Sequence, residues 1–451
     1  MWVMGVLAAV STAAVFAWPV PPRDGVQMWT FARLHKVRYE AAIAEWPPAQ
    51  RASITLLSMP ALERRMLSAF LTQTPSADLI EAERRVAARA FVGPLESVGF
   101  ADLTDRLRAE GLDEDINGPS FGPWTSRGRI FGLPHDVHPV MLGYRADIVE
   151  AAGIDVGRIE TWDDFIRVMS PLMLGKDASG KPVRFLLNLW EDKDDLLEVL
   201  LLQAGGGFFD GSERVSIATD INARVLSTVI AWCRGPQRIA SDAPDFTASG
   251  NQLKVEGYVL AALMPDWMCN IWRIEIPQLA GKVKVMPLPA WEKGGRRTSV
   301  WGGTMLGIAK ASPDQDGLWE IAKRLYTSRE LAREIYREGD IITPVRSLWS
   351  DPVFDEADPY FSGQRKGRMF INLAPSVPSR TSSPFNTLAK QRVRDAALSL
   401  SAYAQSRGAF DVEQLKPEAM RLLEIAERQV RTQVERNVFL TDPGEQPAVH
   451  P

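Results

Sequence analysis

Short apolar runs alternate along this chain with stretches that carry apolar residues at helical spacing. Val26–Phe31 and Ser53–Ser58 are typical of strands, and Asp78–Glu81 predicts a shorter third strand. Between them, a helix is expected around Lys36–Glu45, and Pro60–Thr72 places its apolar residues on one helical face. Strands that alternate with helices are typical of layered domains, so we predict the α/β fold class rather than a helical bundle or a β-sandwich.

Two motifs predict helix starts. In the segment from Thr161 to Asp164, the Thr161 hydroxyl can accept the Asp164 amide while the Asp164 carboxylate reaches back, as in a capping box. The segment from Ser312 to Gln315 repeats this pattern with a proline at the first helical position. We therefore expect a helix to begin at each motif.

The two ends of the chain differ from its middle. Residues 1–22 carry no charged side chain and are mostly apolar, which is typical of a secretory signal, although the usual positive start is absent. The stretch is also close to the length of a short membrane anchor, so we predict a signal peptide or an N-terminal anchor, with a buried core helix as the remaining alternative. Lys416–Phe439 opens with Pro417 and predicts a long terminal helix, and residues 441–451 are expected to form a flexible tail.

Composition narrows the class of protein. The 451 residues are 45% hydrophobic and 24% charged, as expected for a globular protein of two or three compact units. The net charge of -4 gives no electrostatic reason to expect a nucleic-acid partner. Cys233 and Cys269 are too few for a disulfide framework or a cysteine-rich metal site, and a single bridge between them is left open. The 14 tryptophans outnumber the 7 tyrosines, so some of these rings are candidates to face a ligand.

Several segments carry a family resemblance. Residues 132–155 read GLPHDVHPVMLGYRADIVEAAGID and are followed by ETWDDFIRV at 160–168. Further along are ALMPDWM at 262–268, SVWGGTMLGIAKASPDQDGLWEIAKRLYTS at 299–328 and ITPVRSLW at 342–349. In this order and spacing they resemble the bacterial extracellular solute-binding proteins (family 1, sugar-binding class) that serve ABC importers, over roughly residues 26 to 354.

The resemblance implies a type II periplasmic-binding-protein fold, in which two α/β lobes are joined by a hinge of crossing segments and close on a ligand. Crossings are then expected near Val140–Tyr144, Leu288–Trp291 and Thr343–Arg346. The implied N-terminal lobe is 23–139 plus 290–344, and the implied C-terminal lobe is 140–289 plus 345–440.

The resemblance also implies a function. A receptor of this kind captures a mono- or oligosaccharide and presents it to an ABC permease in the membrane, without a cofactor, from the periplasm or another extracytoplasmic site. A polyol phosphate or a polyamine is the alternative small polar solute. A carbohydrate-active enzyme remains a further alternative, because carboxylate pairs such as Glu81 and Asp136 occur in the chain. No nucleophile elbow, Walker loop or zinc-protease motif appears, so we predict that the protein is not an enzyme.

A neutral sugar presents C–H faces and hydroxyl groups, so its cleft needs aromatic plates and hydrogen-bonding side chains. Such residues stand at strand ends, beside the expected crossings and in the segments that carry the resemblance. The candidates are Trp29, Glu81, Asp136, His138, Trp190, Glu191, Asp266, Trp267, Trp301, Gly302, Gly303 and Arg346. A place in the core is the alternative for the tryptophans. Glu81 and Glu83 alternate around Ala82, so only one of the two is expected to face the cleft. A simple turn is the alternative for the glycine pair.

Two histidines deserve a separate test as metal ligands. His135 and His138 flank Asp136, but zinc sites take three or four protein ligands and the chain has only four histidines. We therefore predict no metal here, and expect these histidines to bind ligand hydroxyls or to fix the crossing loop.

Overall fold

The computed structural model describes residues 25–74, 77–173 and 184–439. The predicted signal or anchor at 1–22 and the predicted tail at 441–451 lie outside these residues. The strands of the described residues are β1 (Val26–Thr30), β2 (Ala52–Leu56), β3 (Leu79–Glu83), β4 (Thr125–Ser126), β5 (Arg129–Ile130), β6 (Leu133–Pro134), β7 (Val140–Arg145), β8 (Phe185–Asn188), β9 (Ala240–Ser241), β10 (Val259–Pro265), β11 (Val283–Pro287) and β12 (Thr304–Ile308). The helices are α1 (Arg33–Ala44), α2 (Met59–Thr72), α3 (Arg84–Ala88), α4 (Thr104–Ala109), α5 (Leu112–Asp115), α6 (Gly118–Phe121), α7 (Ala146–Ala151), α8 (Trp162–Met169), α9 (Asp194–Gln203), α10 (Asp220–Cys233), α11 (Ala248–Glu256), α12 (Asp266–Glu275), α13 (Gln315–Thr327), α14 (Arg329–Gly339), α15 (Lys366–Leu373), α16 (Asn386–Arg407) and α17 (Val412–Glu435).

Two five-stranded sheets define two lobes. The first sheet has the order β2-β1-β3-β12-β6, with β1, β2 and β3 parallel and β12 antiparallel to both of its neighbours. The second has the order β11-β7-β10-β8-β9, in which β7 is antiparallel to β10 and β11 while β8, β9 and β10 run parallel. Each sheet is covered by helices, as the hydrophobic faces of mixed sheets require. The predicted two-lobe α/β fold is confirmed.

The predicted elements at the start of the chain are confirmed, with bounds that shift by one to three residues. The third strand extends to Glu83 because Thr304 of β12 pairs with that residue. The two described cysteines are free thiols buried in different hydrophobic clusters, so they form no bridge. Among the described residues, no helix combines the length and apolarity that a membrane span requires.

One predicted helix cap is confirmed and the other is wrong. The capping box of Thr161 and Asp164 is present, with the Asp164 amide donating to the Thr161 hydroxyl at 3.2 Å. The second helix begins at Gln315 instead, where the Asp314 carboxylate accepts the Gly317 amide at 2.9 Å. The Ser312 hydroxyl donates to Asp78 at 2.8 Å and so is engaged elsewhere in the first lobe.

The terminal helix starts earlier than predicted. The carboxylate of Asp411 accepts the amides of Glu413 and Gln414, so α17 begins at Val412 and Pro417 lies inside it. A proline there removes one backbone bond to Glu413, which is exposed and can be served by water. The α17 helix packs beside α10 and α16 and completes the core of the second lobe.

Three segments pass between the lobes, at residues 135–139, 298–303 and 340–349. The first lies between the other two: the Val137 amide donates to Ile342 at 3.1 Å, and the Trp301 amide donates to His138 at 3.3 Å. We call this three-segment assembly the hinge. The first crossing precedes the predicted Val140–Tyr144, which belongs to β7.

The return crossing comes later than the predicted Leu288–Trp291. The Leu288 amide donates to Arg297 at 2.9 Å, so the chain loops back on the second lobe before it crosses. The lobe boundaries given above stay predictions.

Candidate functional site

His138 lies in the middle of the hinge between two carboxylates. Its Nδ1 is 2.7 Å from Asp266 Oδ1 and its Nε2 is 3.0 Å from Asp136 Oδ2. All three side chains are buried. Burial alone would lower the pKa of His138, but the attraction of Asp136 and Asp266 outweighs it and raises the pKa to about 10. The imidazole is therefore a cation at neutral pH and joins the two acids.

Asp266 is positioned by the junction between β10 and α12 and ties the hinge to the second lobe. Its Oδ1 accepts the Trp267 amide at 2.8 Å in addition to His138, and its Oδ2 accepts the Ile342 amide at 2.8 Å. The side chain is fully buried. Asp266 is one of the predicted ligand residues. Its carboxylate forms hydrogen bonds with two crossing segments, so it acts as a hinge residue.

Trp267 and Trp301 form a half-buried aromatic pair beside this hinge. The Trp267 indole N–H donates to the Trp301 carbonyl at 2.9 Å, and the two rings meet edge to face with centroids 5.5 Å apart. Phe246 stacks nearly parallel to Trp267 at 6.4 Å. This arrangement leaves part of each indole surface exposed beside the hinge.

The glycine pair after Trp301 is required by geometry. Gly302 and Gly303 have φ angles of 118° and 127°, which side chains rarely adopt. A Cβ on Gly302 would lie 2.5 Å from Cδ2 of His138. The pair is therefore more than a simple turn, because it lets the second crossing pass directly over His138.

A narrow gap beside the hinge is bordered by Asp136 of the first crossing and Gly303 of the second. Ser120 and Trp124 of the first lobe face Arg380 across it, and the space left between them is about that of one water molecule. The described structure is thus closed at this point.

Arg380 is the charged side chain of this gap that has few partners. Its guanidinium donates to the Gly302 carbonyl at 2.6 Å, and among the described residues no carboxylate comes within 4.0 Å of it. Burial, with help from nearby Arg84, lowers the pKa of Arg380 to about 10. The group keeps donors available for a hydrogen-bond acceptor.

A buried ion-pair network also joins the lobes. Arg84, at the start of α3 in the first lobe, donates to Glu198 of α9 in the second lobe at 2.9 Å. Lys390 of α16 lies 3.1 Å from the same carboxylate and also pairs with Asp195. Burial opposes ionisation of Glu198, but Arg84 and Lys390 hold the pKa of Glu198 far below its ordinary value. The network stabilises contact between the lobes.

Other predicted site residues lie elsewhere. Trp29 is buried in the first-lobe core, and Arg346 is exposed with its guanidinium 3.5 Å from the Glu114 carbonyl. Glu191 is buried in the second lobe, where it pairs with Arg234. Arg234 also covers the half-buried ring of Trp190 at 4.2 Å.

Glu81 is fully buried inside the first lobe, so the structure does not place it at the cleft. Its neighbour Glu83 points the other way, caps α3 through the Arg85 amide at 2.9 Å, and is close enough to affect the pKa of Arg380. Of the two carboxylates, the predicted ligand residue Glu81 is thus the buried one, and Glu83 is partly exposed.

Sequence reasoning also missed Arg380 at the gap and the charged residues of the ion-pair network. Arg84 directly follows β3, and a strand end is a signal that was available. Glu198 interrupts the apolar run of α9, which is a second usable signal. Arg380 lies outside every segment that carries the resemblance, and nothing in its local pattern points to the site.

Comparison with known proteins gives a consistent picture. The family model described as bacterial extracellular solute-binding protein matches residues 53–330. An arabinooligosaccharide-binding protein of Halalkalibacterium halodurans is 23% identical over 342 residues, which cover 74% of each chain. A protein of the same description from Bacillus subtilis is 24% identical over 341 residues and 72% of each chain.

Solved structures share the fold. The sugar-binding protein MalE from Xanthomonas citri superposes with a TM-score of 0.70 at 17% identity, covering 91% of this chain and 99% of that one. A transporter-associated binding protein from B. animalis subsp. lactis in complex with beta-1,6-galactobiose has a TM-score of 0.66 at 15% identity, covering 91% and 98%.

Proposed function

This chain belongs to the bacterial extracellular solute-binding protein family, and we propose that it is the carbohydrate receptor of an ABC importer. It captures an oligosaccharide outside the cytoplasm and presents it to a membrane permease. The oligosaccharide-binding names of the two curated relatives and the sugars in the neighbouring structures support this class of ligand. The family is one of binding proteins, and we propose accordingly that the sugar is released unchanged.

The observation that carries the proposal is the gap beside the hinge. Arg380 brings free N–H donors to it and Asp136 brings a carboxylate acceptor. The half-buried rings of Trp267 and Trp301 lie next to Gly302, whose carbonyl accepts from Arg380. Stacked rings bind the C–H face of a sugar, and the two charged groups bind its hydroxyl groups in complementary ways. These are the types of group that a carbohydrate needs.

Ligand entry requires the lobes to separate. The gap in this closed form has room for about one water molecule, so a sugar binds first to a more open form. A ligand that touches both lobes only when they close binds that state better and shifts the population towards it. The Arg84–Glu198 pair stabilises the same closed state without ligand. The permease then meets a closed, loaded receptor.

The test is calorimetric titration of the protein with arabino-, galacto- and malto-oligosaccharides, with a polyamine and a polyol phosphate as comparison ligands. We expect saturable binding of one oligosaccharide class, and chromatography after incubation should recover that sugar intact. Binding of the polyamine or the polyol phosphate alone would contradict the carbohydrate assignment. Consumption of the sugar would contradict the receptor assignment.

Two tryptophan variants test where on the protein the sugar binds. Trp267→Ala removes an aromatic plate beside the hinge, so we expect sugar affinity to fall at least tenfold while the fold is retained. Trp46→Ala removes a tryptophan from the first-lobe core, beneath Arg324, and serves as the matched control. Affinity that survives in the first variant, or falls equally in both, would argue against this placement.

A further inference from the structure

A second group of ionisable side chains lies inside the first lobe and takes no part in the proposed sugar site. His35, Glu81 and His135 are all buried, with 4%, 0% and 6% of their surfaces exposed. Each offers one coordinating atom, and these atoms lie within 4.8 Å of one another. The rings of His35 and His135 are 4.1 Å apart, centroid to centroid.

The sheet brings these residues together from distant parts of the chain. Glu81 on β3 pairs with Leu306 of β12, and Leu306 pairs on its other side with Leu133 of β6. His135 follows Leu133 by two residues, so it emerges on the same face as Glu81. His35 reaches the group from the first turn of α1.

Hydrogen bonds orient the carboxylate. Oε1 of Glu81 accepts from His35 Nδ1 at 3.0 Å, from the Tyr39 hydroxyl at 2.9 Å and from the Tyr326 hydroxyl at 2.8 Å. Oε2 accepts from Thr30 alone among the described residues, so one of its lone pairs is free. Burial opposes ionisation, but His35, His135 and Thr30 lower the pKa of Glu81 to about 2. The carboxylate is an oriented anion.

The two imidazoles have few hydrogen-bond partners. His35 Nδ1 lies 3.0 Å from Oε1 of Glu81, and among the described residues no group bonds to its Nε2. His135 Nδ1 is buried without any hydrogen-bond partner among the described residues, which is costly for a polar atom. The carboxylate oxygen Oδ2 of Asp136 is 3.5 Å from this nitrogen, beyond a short hydrogen bond. An oriented carboxylate and two buried imidazoles thus offer one coordinating atom each within 4.8 Å.

We propose that His35, Glu81 and His135 bind a divalent transition-metal ion, with zinc as the reference ion. Two imidazoles and a carboxylate suit zinc and its neighbours, whereas calcium and magnesium prefer oxygen ligands alone. Ligand atoms about 2.1 Å from a tetrahedral ion are roughly 3.4 Å apart, so small rotamer adjustments within the 4.8 Å group suffice. Tyr39 and Tyr326 then orient the carboxylate from outside the coordination shell.

Such an ion would hold the first-lobe end of the hinge. The His135 amide donates to the Thr304 carbonyl at 2.9 Å, and the next residue along the chain is Asp136 at the gap. Metal bound to the His135 side chain would therefore restrain the first crossing at the point where it leaves the lobe. This role does not depend on which solute the receptor carries.

The experiment starts from full-length protein stripped of metal with a chelator and titrated with Zn²⁺ and Co²⁺. We expect one equivalent of Zn²⁺ by mass spectrometry of the metal, and visible Co²⁺ absorption typical of a four-coordinate site. The variants His35→Gln and His135→Gln should lose this equivalent, whereas the control His450→Gln should keep it. Tyr39→Phe should weaken binding about 10- to 100-fold.

Several outcomes would overturn the proposal. These are the absence of stoichiometric binding, binding that persists in both histidine variants, and binding that disappears in His450→Gln. Circular dichroism establishes whether each variant folds. If the histidine variants do not fold, X-ray absorption on the wild-type Zn²⁺ protein decides: two imidazoles in the first shell support the site, and sulfur ligands or fewer imidazoles contradict it.

Discussion

Two buried histidines three residues apart have pKa values that shift in opposite directions. His138 stands between the carboxylates of Asp136 and Asp266, and its pKa is raised to about 10. His135 faces Glu81, whose negative charge is already shared among two tyrosines, a threonine and His35, and burial lowers the pKa of His135. The difference shows that burial alone does not set the charge of an imidazole. Among the described residues, His138 has two carboxylates within 3.0 Å of its nitrogens, whereas His135 has Asp136 at 3.5 Å and the like-charged His35 beside it.

The largest expected loss of stability comes from removing a carboxylate that bonds to the His138 cation. Asp266→Ala leaves the His138 cation with one partner and the Ile342 amide with none, so we expect the free energy of unfolding to fall by about 3–5 kcal/mol. Chemical denaturation measures this loss. Asp316→Ala is the control, because that carboxylate is exposed and its removal should change stability by no more than about 0.5 kcal/mol. Equal effects in the two variants would mean that the hinge contacts contribute little.

The surroundings of His135 are tested by removing one hydrogen-bond donor to Glu81. Tyr326→Phe deletes a hydrogen bond to a buried anion, so we expect a loss of about 1.5–3 kcal/mol in the free energy of unfolding. Tyr258→Phe removes a hydroxyl bound at 2.9 Å to the neutral Ser241 hydroxyl, and should cost about 0.5–1.5 kcal/mol. A larger loss at Tyr258 would contradict an ionised Glu81.

The titration of His138 is expected to change the free energy of unfolding by a smaller amount per pH unit, over a wide range of pH. Since the folded-state pKa of His138 is about 10 and the unfolded value is about 6.5, its contribution is fully present below pH 6.5 and is lost as pH rises towards 10. The slope is about 1.4 kcal/mol per pH unit for this one proton. Unfolding measured between pH 7 and 9.5 should show a shallower decline in His138→Gln than in the wild type. Identical slopes would mean that the imidazole is not charged in the folded state.

Local patterns identified much of the fold. The strands near Val26, Ser53 and Leu79 were found because alternation and apolar runs depend on near neighbours. The Thr161 cap was found for the same reason. The Ser312 cap failed because the serine has a distant partner in Asp78, which no local pattern records.

The candidate site was predicted in part. Asp136, His138, Asp266 and Trp267 were singled out, and the structure brings them together with Trp301 and the glycine pair. Which acid on β3 faces inward was not predictable, because alternation separates Glu81 from Glu83 without saying which side is the core. Arg380 was missed because, among the described residues, its hydrogen-bond partner at the gap is a backbone carbonyl 78 residues away.

The sequence by itself determined the first three strands, the helices between and after them that carry clear apolar spacing, and the segments that mark the family, because these depend on residue spacing along the chain. Tertiary structure alone decided that His138 is a hinge cation and that His35, Glu81 and His135 converge in one lobe. Charge and coordination depend on distances between side chains. Those distances arise only when β3, β6, β12 and the three crossings are assembled, since the partners of one imidazole lie as far as 128 residues away in the chain.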